Sequence, residues 1–213
     1  YGVLAGLFAL PALQGGAWLW LLWPAASCLL LAACYACLGA AALQKRDDGR
    51  HSLAVSLLLL PYLLAVRLNM AYWLRGQPLD TAVTERVHLG SVLAAADHPL
   101  VLDVCAEYPV FGCWRHYRCL PMLDMVAPTA AELKQAADQL QKMLQQHRGS
   151  LLVGCALGYG RSAAVLLTWL LRHGGCSSLD EALVRLRAVR PRVVLPAATR
   201  AQILLAIRQE GGT

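Results

Sequence analysis

The chain has 213 residues, 58% of them hydrophobic and 15% charged, with a net charge of +6 at pH 7. That is too apolar for an ordinary soluble domain, and the length holds one domain of about 130 residues plus a second region. The moderate basic excess suits anionic headgroups or phosphorylated substrates. Nucleic acid is set aside, because no lysine- and arginine-dense stripe with interleaved aromatics is present.

The apolar excess lies before residue 75. Residues 3–23 (VLAGLFALPALQGGAWLWLLW) and 25–43 (AASCLLLAACYACLGAAAL) are almost free of charge, and each is near the ~20 residues that cross a bilayer as a helix. Trp18, Trp20 and Trp23 suggest an interfacial aromatic belt. Two successive spans without a basic leader argue against a signal peptide. The chain begins at Tyr1 rather than methionine, which leaves room for a segment before it. Gln44 to Ser52 (QKRDDGRHS) reads as a polar hinge lying in water. Residues 53–74 form a third apolar segment interrupted by Pro61, Arg67 and Asn69. Spanning with some tilt is the favoured arrangement, and a kinked helix docking the next domain onto the membrane is the other. Arg75-Gly76-Gln77-Pro78 ends this region. The expected organisation is a membrane region over 1–75, a linker over 76–82 and a soluble α/β domain over 83–213.

Within that domain, Val83 to Leu93 reads as a short strand pair, and Leu100 to Val104 (LVLDV) as a buried parallel strand. Tyr117 to Pro121 is another strand, running into a loop with Asp124 and Pro128. Thr129 caps a helix over 130–147 with Glu132 completing a capping box. Helices over Leu179–Val189 and from Ala197 close the domain. Alternating strands and helices predict a central, mostly parallel sheet flanked by helices. Cys34 and Cys37 read as small helix-packing residues, and Cys105, Cys113, Cys119 and Cys176 as buried small hydrophobes. No histidine–cysteine spacing suggests zinc.

The chemistry concentrates in Leu151 to Leu171 (LLVGCALGYGRSAAVLLTWLL). An apolar strand, a small-residue loop and a helix N-terminus make an anion cradle, because backbone N–H groups and the helix dipole converge on one point. The cradle opens with Cys155 and ends with Arg161 and Ser162. A thiolate facing such a pocket is stabilised by the same dipoles, and a guanidinium grips two phosphate oxygens at once. Gly158 and Gly160 let the backbone close tightly around a tetrahedral group.

Cys155-Ala156-Leu157-Gly158-Tyr159-Gly160-Arg161-Ser162 resembles the C-x5-R-S signature of the protein tyrosine phosphatase superfamily, in its dual-specificity branch. The resemblance extends over roughly 83–208, through His88-Leu89-Gly90, Asp103 to Pro109, Leu120-Pro121-x-x-Asp124 and Arg190-Pro191. Behind hydrophobic helices, it is similar to bacterial membrane-associated dual-specificity phosphatases. The resemblance implies that Cys155 is the nucleophile, that Arg161 and the loop amides of 156–160 bind phosphate, and that Asp124 is the general acid. It also implies that Ser162 receives the leaving thiolate, that Asp103 is structural, and that no metal or cofactor is required. Glu107 and Arg190 read as supporting residues.

One departure is Gly154, where the family usually has histidine. It raises the alternative of a phosphate-binding pseudophosphatase or scaffold module; a rhodanese-type sulfurtransferase shares the loop and is a more distant reading. The loop lacks the lysines of phosphoinositide-preferring members, so the expected substrate is a membrane lipid phosphate or a phosphoprotein. The implied location is the bacterial inner membrane, multi-pass. Lys45, Arg46 and Arg50 favour a cytoplasmic hinge, and a reactive thiolate favours a catalytic domain in the reducing cytoplasm.

Overall fold

A computed structural model describes residues 1–112 and 116–208; Cys113 lies outside the described residues. The expected sheet is present, with strand order β1-β2-β5-β3-β4 for β1 (Asp80–Ala82), β2 (Val87–Ser91), β3 (Leu100–Cys105), β4 (His116–Met122) and β5 (Leu151–Cys155). β2, β5, β3 and β4 run parallel, and β1 pairs antiparallel with β2 at the edge. β1 lies within the stretch expected as linker, so the sheet begins earlier than the strand pattern suggested. Its three residues are too few to show an alternation.

Successive strand residues point to opposite faces, and both faces are buried. Leu100, Leu102, Val104, Leu151 and Val153 pack with α5 (Ala130–Gln146), α6 (Arg161–Arg172), α7 (Leu179–Val189) and α8 (Ala197–Arg208). The alternate residues Val101, Cys105 and Leu152 form a second core with Val92, Met70 and Leu74. The capping box at Thr129 and Glu132 is formed as expected, closing the first turn of α5 from both sides.

The N-terminal region departs from its expected boundaries. The first apolar segment is not one helix. α1 (Gly2–Ala12) ends after Pro11, and Gly15 and Gly16 take φ of +73° and +60° before a tight helical turn begins at Gly16. Eleven residues rise only about 16 Å, about half a hydrocarbon core. The run Gly16–Leu38, which includes α2 (Leu22–Ala33), is the one stretch among the described residues long and apolar enough to cross a membrane. It stops at Gly39, with φ of +69°, short of the expected end at 43.

The third apolar segment is divided at Leu59 into α3 (Leu53–Leu58) and α4 (Leu60–Trp73), with Pro61 in the first turn of α4. α4 covers the second face of the sheet through Met70 and Leu74. The segment therefore docks on the α/β domain, and with one run among the described residues long enough to cross, the expected multi-pass arrangement is not supported.

The hinge between these segments is solvated only in part. Lys45 and Asp103 form a buried ion pair at 2.7 Å, both side chains 0% exposed. Lys45 Nζ also donates to the carbonyls of Cys105 and Tyr108, at 2.6 and 2.7 Å. His51 is buried with Nε2 3.0 Å from the Ala106 carbonyl oxygen, and burial pushes its pKa down. Leu43 and Leu59 share a third core with Ala106, against which Leu123 packs.

Candidate active site

The site is built where β5 ends and α6 begins. Residues 151–155 are all buried, which fixes Cys155 at the carboxyl edge of the sheet. The loop then turns into α6, whose first helical residue is Arg161. Cys155 Sγ accepts hydrogen bonds from the Ser162 hydroxyl and from the Gly158 N–H, each at 3.2 Å.

Gly158 has φ of +76°, and an added Cβ there would collide with the Gly90 backbone. The loop is thus laid against β2 at a distance only glycine permits. Gly160, by contrast, has open space at its Cβ position and φ of −117°. The loop carbonyls are held outward by neighbours. Arg190 donates from Nε to Gly158 O and from Nη2 to Leu157 O, both at 2.9 Å, and its guanidinium lies 4.8 Å from the Tyr159 ring centre. Ser91 Oγ donates to Ala156 O at 2.6 Å, and Val194 N–H to Tyr159 O at 2.9 Å.

Arg161 is 5% exposed. Its Nη1 donates to Glu107 Oε2 at 2.5 Å and to Met122 O at 2.7 Å, while Nη2 lies 3.3 Å from Asp124 Oδ1. Nε is buried with no hydrogen-bond partner. Burial works against the charge, but Glu107, followed by Cys105, Cys155 and Asp124, holds the pKa well above the ordinary arginine value. The result is a fixed cation with an unused donor, suited to an anionic oxygen.

Asp124 is exposed, with 56% of its side chain in solvent, and its main-chain N–H donates to Glu107 Oε1. Glu107 therefore ties the Asp124 loop to Arg161 through its two oxygens. The structure brings Cys155, Arg161, Ser162 and Asp124 to one place, with Glu107 and Arg190 in contact with Arg161 and the loop. Asp103 is buried under Lys45, with Tyr117 Oη also donating to it at 2.5 Å, away from solvent. Ser91 and Lys45 escaped sequence reasoning. A serine ending a strand is a faint signal, and nothing local marks Lys45.

At Gly154, a Cβ would stand 3.2 Å from Val92 Cγ1. The strand here runs under Val92 too closely for a histidine without a shift of that side chain. Burial pushes the thiols of Cys105 and Cys119 up to about 12. With Cys176 also buried, these three cysteines are packed as expected. One grouping had no sequence signal: Asp80 Oδ2 lies 2.7 Å from His88 Nδ1 and 3.3 Å from His98 Nε2, and His98 Nδ1 lies 3.0 Å from Ser150 Oγ. These bonds knit β1 to β2 and to the turn before β3.

The family model for the dual specificity phosphatase catalytic domain matches residues 87–209. Human DUSP28 has a similar structure (TM-score 0.50, 24% identity), covering 63% of this chain and 97% of its own. A mutant form of Tk-PTP gives 0.51 at 20% identity, with coverage of 64% and 99%. The human tyrosine phosphatase-like serine/threonine/tyrosine-interacting protein gives 0.52 at 16%, with coverage of 62% and 98%. No curated protein sequence matches the chain. These likenesses share the fold described above. The chain belongs to the dual-specificity phosphatase family, enzymes that hydrolyse phosphoric monoesters.

Proposed function

We propose that the protein is a membrane-anchored phosphatase working through a phosphocysteine on Cys155. The observation that carries this reading is a sulfur receiving two hydrogen bonds, set beside a buried arginine with an unpartnered Nε. Cys155 Sγ attacks phosphorus and the ester P–O bond breaks, with Asp124 giving its proton to the departing oxygen. Arg161 and the inward N–H groups of 156–160 hold the equatorial oxygens throughout. In the second step Asp124, now a carboxylate, takes a proton from water as the water oxygen attacks phosphorus. The S–P bond breaks, and Ser162 donates to the leaving thiolate. The exposure of Asp124 suits a group that exchanges protons with solvent and product.

The run Gly16–Leu38 supports the anchor. Residues 1–75 supply the membrane contact, and residues 83–213 the catalysis. A reducing cytoplasm suits the free thiol.

Rapid quenching of wild-type turnover with labelled substrate is expected to leave phosphate on Cys155. Cys155→Ser is expected to abolish turnover of para-nitrophenyl phosphate while still binding orthovanadate, because the backbone and Arg161 supply most anion contacts. Persistent turnover in that variant removes Cys155 as nucleophile. A wild type that binds vanadate without turnover is a phosphate-binding module instead.

A further inference from the structure

The N-terminal helices do more than sit beside the α/β domain: they build part of the cavity over its phosphate loop. That cavity has a volume of about 460 Å³, within the roughly 300–1,000 Å³ range of sites that enclose small molecules. Its lining includes Glu107, Asp124 and Arg161 with the loop residues Ala156 and Leu157. It also includes Leu4 and Phe8 of α1, Cys28 of α2, and Tyr62, Val66 and Met70 of α4. A phosphate head uses only those charged side chains and the loop. The rest of the lining is mostly apolar, with Tyr1, Ser27, Tyr62 and Asn69 as its polar members, so it leaves most of a peptide's backbone groups without partners, and their burial is costly. It offers hydrocarbon a place out of water. The same helices expose Leu10, Leu64, Leu68 and Tyr72 to the exterior.

We infer that α1, α2 and α4 form a hydrocarbon sleeve over the phosphate loop, and that the substrate is a membrane lipid with a terminal phosphate monoester. This rests on the phosphatase reading of Cys155. The head meets Arg161 and Cys155 while the first part of its chain lies between α1 and α4. The general acid is linked to the same helices, since Leu123, next to Asp124, packs on the core that Leu31 and Leu59 share.

The test uses the full chain in phosphatidylcholine nanodiscs and a series of n-alkyl phosphates from butyl to dodecyl. Each methylene buried in the sleeve is expected to raise kcat/KM roughly fourfold until the cavity is filled. Ala65 lines the cavity from α4, and Ala65→Trp places an indole in the sleeve. The ratio of wild-type to Ala65→Trp kcat/KM is expected to stay within threefold for butyl phosphate and exceed tenfold for dodecyl phosphate. Partitioning into the bilayer is common to both proteins and cancels in that ratio. Phe8→Ala, which enlarges the cavity, is expected to move the best chain length upward and provides an independent reading if Ala65→Trp does not fold. A ratio that does not change with chain length, together with no shift in Phe8→Ala, overturns the sleeve. So does a phosphotyrosine peptide turned over faster than dodecyl phosphate and equally well by Ala65→Trp.

Calorimetric titration of Cys155→Ser with the same series separates the two claims. Binding that tightens with chain length in a protein whose wild type shows no turnover leaves the sleeve standing and sinks the phosphatase reading. Length-independent binding sinks the sleeve alone.

Discussion

Lys45→Met removes the charge that holds residues 44–52 to the catalytic sheet while keeping most of the side-chain volume. Asp103 loses its 2.7 Å partner and retains the Cys105 N–H and the Tyr117 hydroxyl, in a position with no solvent exposure. Removing one member of a buried ion pair costs roughly 3–5 kcal/mol, because the other charge is left uncompensated. In a chain of this size each kcal/mol corresponds to about 2–4 °C in Tm, so the expected fall is about 6–20 °C. Lys45→Met with Asp103→Asn, which removes the stranded charge and keeps an acceptor, is expected to recover about half of it.

The pH dependence follows from the direction of the shift. Burial lowers the Lys45 pKa, but the adjacent Asp103 more than reverses this, so the folded value lies above the ordinary one. The stability it contributes is fully present below the unfolded pKa and is lost as pH rises through the folded one. The gap between wild type and Lys45→Met should hold across neutral pH and close only in strong alkali. Thermal unfolding of the solubilised protein by tryptophan fluorescence measures both. A single variant within 2 °C of wild type, or a double variant no better than the single, would refute the reasoning.

Asp124→Asn is expected to slow turnover by roughly 10²–10⁴-fold on alkyl phosphates, with a much smaller loss on aryl phosphates, whose leaving groups need no proton; equal losses on both would point to a structural role. Glu107→Gln keeps the shape but drops the charge that fixes Arg161 and the Asp124 loop. A loss of about 100-fold in kcat/KM is expected from the misplaced clamp, read by steady-state kinetics beside an unchanged far-ultraviolet spectrum. Ser162→Ala should slow release of phosphate from cysteine more than its formation, so a rapid-mixing trace with an aryl phosphate should gain a burst that the wild type lacks.

The phosphate loop was legible because its reacting groups are local: Cys155, Arg161 and Ser162 lie on one strand–loop–helix turn, whereas Ser91 and Arg190, which hold its carbonyls, come from elsewhere in the chain. The same holds for Thr129 and Glu132, three residues apart on α5. Asp124 was legible only through resemblance, since an exposed aspartate in a short loop has no pattern of its own. The N-terminal region failed on two physical counts. Hydropathy does not register the backbone, so Gly15 and Gly16 were read through as if helical. It also cannot distinguish an apolar helix meant for lipid from one meant for a sheet, which is why spanning was favoured for residues 53–74 over the docking alternative. Lys45 looked solvated because its partner stands 58 positions away in the chain, and no local rule links a hinge lysine to a strand aspartate.

Three glycines around the nucleophile differ in what genetics can do with them. At Gly158 the obstruction is the main chain of Gly90, and at Gly90 it is the main chain and Cβ of Asp80 with the carbonyl of Leu79, 2.5–2.7 Å from an added methyl. No exchange of side chains elsewhere removes a backbone, so defects at either position have no second-site suppressor. At Gly154 the nearest atom is Val92 Cγ1 at 3.2 Å, followed by the Val92 main-chain Cα and N at 3.4 Å, so trimming that side chain relieves the closest contact. The residue before the cysteine is therefore less tightly closed to exchange than the loop itself.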